Sequence, residues 1–187
     1  GFSSFFLSIT YRNAEFVLYN SMDDNTLPSS FHTDSNHVNP FFQQLKDYLV
    51  QVKADENLVS IAWIRCQYRN ILIKQLAKSK WMKDPSYCSL KWIKQQLLWR
   101  FYTELYLAKP PPIKRLVQRD ESEGRFIVLL VSDIIQCPPC YDYDVIEEKK
   151  EEKKEIPQAT IELTDGWYFI EAVLDKSLTF LLQSQQI

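Results

Sequence analysis

The sequence predicts an α+β protein, a helical domain packed against the N-terminal half of a small β-barrel. Three observations predict it. Residues 40–119 carry apolar side chains at three- and four-residue spacing, the period of a helix. Composition changes after Gly124, where Arg125 to Ile135 is almost unbroken in Phe, Ile, Val and Leu. Near the end, Ile161 to Asp175 reads as two alternating strands around Asp165-Gly166. These place an N-terminal extension at 1–39, a helical domain at 40–123 and a partial barrel at 124–187. The barrel carries a long charged insertion at about 136–158.

The extension is the least patterned part. Phe5 to Tyr11 and Glu15 to Tyr19 have strand composition around Arg12-Asn13-Ala14, which predicts a hairpin. Ser21 to Asn39 is rich in Ser, Asp and Asn and reads as loop. Pro40 then opens a short helix to Val52, with Phe41, Leu45, Tyr48 and Leu49 on one side. A second helix is expected over 56–80 with Asp55 as N-cap. Its core stripe is Ile61, Ile64, Tyr68, Ile71, Leu72 and Gln75. Arg65 and Arg69 flank the stripe, while Trp63 and Lys74 project from the far side. Asp84-Pro85 breaks the chain. Ser89 caps a third helix, Leu90 to Ala108, with Leu90, Ile93, Leu97, Phe101 and Leu105 inward. Trp92, Trp99 and Tyr106, seven residues apart, form a second apolar stripe, which packs on the β part or faces a partner. Pro112 starts a fourth helix over 113–119.

Arg125 to Ile135 is expected as a strand covered on both faces. The run from Glu147 to Glu155 has no apolar stripe and reads as a solvated excursion. Asp165-Gly166 suits a two-residue type I′ turn. That register sets Thr164 opposite Trp167, Leu163 opposite Tyr168 and Ile161 opposite Ile170. One face then carries Ile161, Leu163, Tyr168, Ile170, Ala172 and Leu174. The other carries Glu162, Thr164, Trp167, Phe169, Glu171 and Val173, so two aromatics lie on the nominally solvated side. A short helix or turn follows at Lys176 to Gln183.

Charge is strongly uneven. Residues 60–119 hold thirteen Lys and Arg against two acids, Asp84 and Glu104. The block is therefore +11, and the rest of the chain carries −13 within a net charge of −2. A block this basic points to a polyanion, either nucleic acid or an acidic protein. The alternative is a solvated Lys-rich surface, which ranks second at this density. Arg65, Arg69, Lys74, Lys91, Lys94 and Arg100 would supply charge. Trp63, Trp92, Trp99, Trp167 and Phe169 would supply apolar anchors; structural packing is the alternative for each Trp, and at least half of the tryptophans are expected to be buried.

Other classes find little support. The chain has three Gly and no phosphate-binding loop. No apolar run reaches the ~18 residues of a membrane span. Residues 1–10 lack the basic segment and cleavage site of a signal peptide, and Gly1 in place of Met is expected of a processed chain or excised fragment. The four Cys are expected as free thiols of an intracellular protein. Cys137-Pro-Pro-Cys140 lacks a second pair, and His32 and His37 lie far upstream, so neither metal nor cofactor is expected. Glu171 and Asp175 flank no His or nucleophile, and Ser132-Asp133 has no base nearby in sequence, so no enzyme is expected.

A long strand, a two-strand meander and a short helix make the first half of an OB-fold, a five-stranded barrel that binds oligonucleotides. Outward aromatics beside cations suit single strands. Two strands are missing from such a barrel. A stand-alone single-stranded DNA-binding OB protein is the runner-up reading, and the missing strands count against it. At this point Ile161-Glu162-Leu163-Thr164-Asp165-Gly166-Trp167-Tyr168 resembles a hairpin of the DNA-binding region of the breast cancer type 2 susceptibility protein family. Val128 to Ile135 resembles that family's first OB strand. Trp63-Ile64-Arg65-Cys66-Gln67-Tyr68-Arg69, through Ile71 to Ala77, resembles its long helix. Phe31-His32-Thr33-Asp34 is similar to a segment just upstream. The resemblance implies a helical domain docked on the first OB-fold, in a nuclear, non-catalytic mediator of homologous recombination and DNA repair. It implies a small acidic partner, the split-hand/split-foot deletion protein, with single-stranded DNA as a further ligand. A RecA-like recombinase would bind through other parts of the full-length protein. The charged insertion and the Cys137–Cys140 pair match nothing in the family pattern.

Overall fold

The computed structural model describes residues 4–10, 13–31, 40–120, 126–138 and 158–184. His32, His37, Cys140 and the run from Glu147 to Glu155 lie outside the described residues, as does most of the Phe31–Asp34 segment. The chain forms two compact units. The first holds residues 1–127 together with Asp165–Tyr168. The second holds residues 128–164 and 169–187.

The first unit opens with helix α1 (Ser4–Ser8), a 3-10 turn (Ala14–Phe16) and strand β1 (Val17–Tyr19). Strand β2 (Pro28–Phe31) pairs antiparallel with β1. The hairpin expected at 5–19 is therefore not formed. Asn13 explains part of this: its Oδ1 accepts from Thr10 N at 2.7 Å and its Nδ2 donates to Ser8 O at 2.9 Å. Those bonds fold the chain back on itself before any strand could pair. The partner of β1 comes instead from the stretch read as loop. This segment is not peripheral, because Phe6, Ile9, Ala14, Val17 and Tyr19 are all core residues.

Helix α2 (Pro40–Gln51) buries Phe41, Phe42, Leu45 and Leu49. Helix α3 spans Ile61–Met82, later than expected. Ser60 is its cap, its side chain accepting from Trp63 N at 3.1 Å. Asp55 instead closes a local turn, its Oδ1 accepting from Asn57 N at 2.9 Å. The helix stops where Lys83 takes a left-handed conformation, φ 57°. It buries far more than one stripe, including Trp63, Gln67, Asn70 and Ser79. Trp63 therefore lies inside rather than on the far side.

A 3-10 turn (Pro85–Cys88) leads into α4 (Leu90–Arg100), which continues as a π-helix over Phe101–Tyr106. Ser89 sits at the cap position but its side chain makes no capping bond. The first amides of α4 are satisfied by the 20s loop: Leu90 N donates to Thr26 O at 2.9 Å and Lys91 N to Asp24 O at 2.8 Å. Helix α5 (Pro112–Val117) begins with proline, as expected.

The second unit is a three-stranded antiparallel sheet ordered β3-β4-β5, with β3 Leu130–Gln136, β4 Thr160–Thr164 and β5 Phe169–Val173. Helix α6 (Lys176–Gln183) follows, capped by Asp175, whose Oδ1 accepts from Leu178 N at 2.8 Å. Ala159, Ile161, Thr164 and Thr179 are buried. Strand β3 is not covered on both faces: Leu130, Val131, Ile134 and Ile135 are all exposed. Among the described residues it is an edge strand, so its apolar run does not mark a central position.

The hairpin register also differs. Thr164 pairs with Phe169, Leu163 with Ile170 and Ile161 with Ala172. The loop is thus Asp165–Tyr168, four residues instead of two. Only Gly166 has positive φ there, 84°, so the turn is not type I′. The carboxylate of Asp165 sets the geometry, its Oδ1 accepting from Trp167 N and Tyr168 N, both at 2.9 Å. A shift of two residues keeps every strand side chain on its expected face. It removes Trp167 and Tyr168 from those faces.

Candidate functional site

The turn Asp165–Tyr168 belongs to the helical unit, and the bonds that seat it define the candidate site. Arg100 is buried, donating from Nη1 to Gln67 Oε1 at 2.6 Å and from Nη2 to Gly166 O at 2.7 Å. Asn70 Nδ2 donates to Trp167 O at 3.0 Å. Ile113 N, at the start of α5, donates to Asp165 Oδ2 at 2.9 Å. Glu104 is buried on the π-helix and accepts from Trp63 Nε1 at 3.0 Å, from Lys114 Nζ at 2.6 Å and from the Tyr168 hydroxyl. Burial, reinforced by this carboxylate, pushes the Tyr168 hydroxyl pKa well above the usual phenol range.

The seated turn places Trp167 with its ring centre 5.1 Å from that of Trp99, the planes at 54°. The guanidinium of Arg100 lies 4.8 Å from the Trp167 ring centre. Lys74, exposed on α3, has its pKa lowered, first by desolvation and then by the positive charges of Arg100 and Lys78. Lys78, one turn further on and also exposed, sets its ammonium 4.3 Å from the Tyr87 ring centre and 5.6 Å from that of Trp92. Cations and half-exposed aromatics thus form a series in two groups, Trp99 with Trp167 and Arg100, and Lys78 with Tyr87 and Trp92, and the charges of Arg100 and Lys78 both act on Lys74.

The residues singled out by sequence divide accordingly. Lys74, Trp92, Trp99 and Trp167 fall on this series. Trp63, Lys94 and Arg100 are buried. Lys94 donates to Met22 O at 2.7 Å and to Asp24 Oδ1 at 2.9 Å, with its ammonium 5.1 Å from the Tyr48 ring centre. Its charge ties down the 20s loop and is not offered to solvent. Arg65 is exposed, its guanidinium 5.8 Å from the Phe42 ring centre. Arg69 is half-buried and Lys91 exposed. Phe169 is exposed on β5, in the second unit. Of the five aromatic anchors only Trp63 is buried, so the expectation that at least half of the tryptophans would be buried is not met.

Lys78, Tyr87, Glu104 and Tyr168 were not singled out. Two carried a signal. Lys78 is four residues after Lys74 and so shares its helix side. Glu104 is the one acid between Pro85 and Arg119, and a lone acid in a basic helix is a candidate buried partner.

Asp175 caps α6, and Glu171 stands opposite Glu162 across β4 and β5. Ser132 Oγ donates to Glu162 Oε1 at 2.8 Å. Among the described residues no His, Cys, Asp and Glu cluster could hold a metal. No described helix is long and apolar enough to cross a membrane.

A three-stranded antiparallel sheet with a following helix, preceded in sequence by a helical unit, defines an OB-type chain of α+β class. Residues 111–187 match the family described as BRCA2, oligonucleotide/oligosaccharide-binding, domain 1. The matched stretch includes Ile113, Lys114 and the whole Asp165–Tyr168 turn. Residues 1–110 lie outside it. No solved structure matches the chain.

Proposed function

We propose that this chain is a non-catalytic interaction module of a nuclear homologous-recombination mediator, and that it binds a small acidic partner protein through the helical unit. Single-stranded DNA is the weaker, second ligand. A RecA-like recombinase would act through other parts of a longer protein. One observation carries the reading: the exposed series of Lys74, Lys78, Trp92 and Trp99 with Trp167. Cations beside half-exposed indoles suit an acidic segment that carries aromatic residues, because charge steers the encounter and the rings supply buried area. The division into a helical domain at 40–123 and a partial barrel at 124–187 is part of this proposal.

The test is a titration with the acidic partner peptide and, separately, with oligo(dT), each at two salt concentrations. The peptide should bind more tightly. Lys74→Glu with Lys78→Glu should weaken it at least tenfold, about 1.4 kcal/mol. Lys53→Glu, outside the series, should not. Tight oligo(dT) binding with no peptide binding would support a stand-alone DNA-binding protein instead. Binding of neither would leave the basic block as a solvated surface.

A further inference from the structure

We propose that Glu104 and Arg100 are positioning residues, which orient the Asp165–Tyr168 turn so that Trp167 completes the exposed aromatic and cationic series. The ligand role of that series rests on the function proposed above; the orienting role does not.

Neither side chain is offered to a ligand. Glu104 is fully enclosed and Arg100 is 1% exposed. A buried charge persists only when paired and hydrogen-bonded. Each of these draws part of its pairing from the helices and part from the turn. Glu104 takes Trp63 Nε1 and Lys114 Nζ from the helices, and the Tyr168 hydroxyl from the turn. Arg100 gives one bond to Gln67 on α3 and one to Gly166 in the turn. Withdrawing the turn would therefore strip a partner from a buried anion and from a buried cation together.

The two bonds lie on either side of Trp167, at Gly166 and Tyr168. Asn70 holds the Trp167 carbonyl between them. Hydrogen bonds fix direction in a way that apolar packing does not, so the indole is held at one angle to Trp99. The π-helical turn fits the same account. Its wider repeat begins at Phe101, immediately after Arg100, and includes Glu104. Such segments are frequent at functional sites.

The experiment reads the coupling of two indoles at 5.1 Å, which gives an exciton couplet in circular dichroism. The Trp99–Trp167 contribution is the wild-type spectrum minus that of Trp167→Phe. Tyr168→Phe removes only a hydroxyl and should abolish most of this contribution while helical content stays unchanged. Glu104→Leu should do the same, and Glu104→Gln, which keeps an acceptor, should retain more of it. Arg100→Lys should reduce it. Survival of the couplet in both Tyr168→Phe and Glu104→Leu overturns the proposal. So does a loss that merely tracks loss of helix, or a wild-type spectrum identical to that of Trp167→Phe. Affinity for the acidic peptide should fall about fivefold in Tyr168→Phe, close to 1 kcal/mol. If wild-type protein binds neither peptide nor oligo(dT), the ligand reading fails, and the couplet still decides the positioning role.

Discussion

Tyr68→Phe isolates one bond that ties the N-terminal segment into the helical core. Tyr68 is fully buried, and its hydroxyl donates to Val17 O at 2.7 Å. Its ring meets those of Phe41, Phe42 and Tyr19 nearly edge-on, with centres 5.4–6.5 Å apart. Phenylalanine preserves all of that packing and deletes one oxygen. The loss is one buried hydrogen bond, with the Val17 carbonyl left short of a donor, about 1–2 kcal/mol. Urea denaturation followed by Trp fluorescence should show a lower midpoint at unchanged slope. The thermal midpoint should drop by roughly 2–8 °C. Tyr106→Phe, at a side chain 65% exposed, is the control and should lie within about 0.5 kcal/mol of wild type. A loss below ~0.3 kcal/mol for Tyr68→Phe, or an equal loss for both variants, would refute the claim that the extension is bonded into the core.

Three further outcomes are expected. Ser60→Ala should cost about 1 kcal/mol by chemical denaturation, because it removes the cap of α3, whereas Asp55→Ala should leave α3 intact by circular dichroism. Gly166→Ala should cost about 1 kcal/mol through backbone strain alone, since φ is +84° and no atom lies within 4 Å of the added methyl. Stability should fall in alkali. Burial raises the thiols of Cys66 and Cys88 from 9.0 to about 11, and raises the Tyr19 and Tyr68 hydroxyls well above 10.0. The native state then holds protons that the unfolded chain gives up, so this stabilisation is complete below pH 9 and lost as pH climbs through 11. A midpoint in urea that is flat between pH 8 and 11 would contradict it.

The sequence made the helices legible because α2, α3 and α4 repeat apolar residues at the helical period. The limits of α3 were less legible, since Asp55 and Ser60 both suit a cap and only packing selects between them. Residues 4–10 and 13–31 were legible only in the strand composition of Glu15 to Tyr19, which contains β1. Their order comes from single bonds made at long range, such as Tyr19 Oη to Cys88 O at 2.7 Å, which leave no local pattern. The alternation of the hairpin was readable, but its loop length was not, and neither was the burial of Glu162 and Thr164 on the face expected to be solvated. Asp-Gly alone favours two residues, and the extra bonds to Asn70, Arg100, Glu104 and Ile113 favour four. The exposure of β3 leaves no mark in the sequence, because an apolar run looks the same on a central strand and on an exposed edge.

Formal charge misled in an instructive way. Of the thirteen cations in residues 60–119, Lys94 and Arg100 are buried, and Lys114 is paired at 2.6 Å with the fully enclosed Glu104. Three of the charges on α4 and its π-helical continuation reach segments distant in sequence. Lys94 holds the 20s loop, Arg100 holds Gly166, and Glu104 joins Trp63 to Tyr168. Inward charge therefore organises the chain around this helix, while Trp92 and Trp99 on the same element stay partly exposed. Exposed cations associated with those rings include Lys74 and Lys78 of α3 and Lys91 beside Trp92. Charge reversal at Lys74 and Lys78 should accordingly weaken acidic-peptide binding more than reversal of Lys80 and Lys83, although each pair changes the formal charge by the same amount.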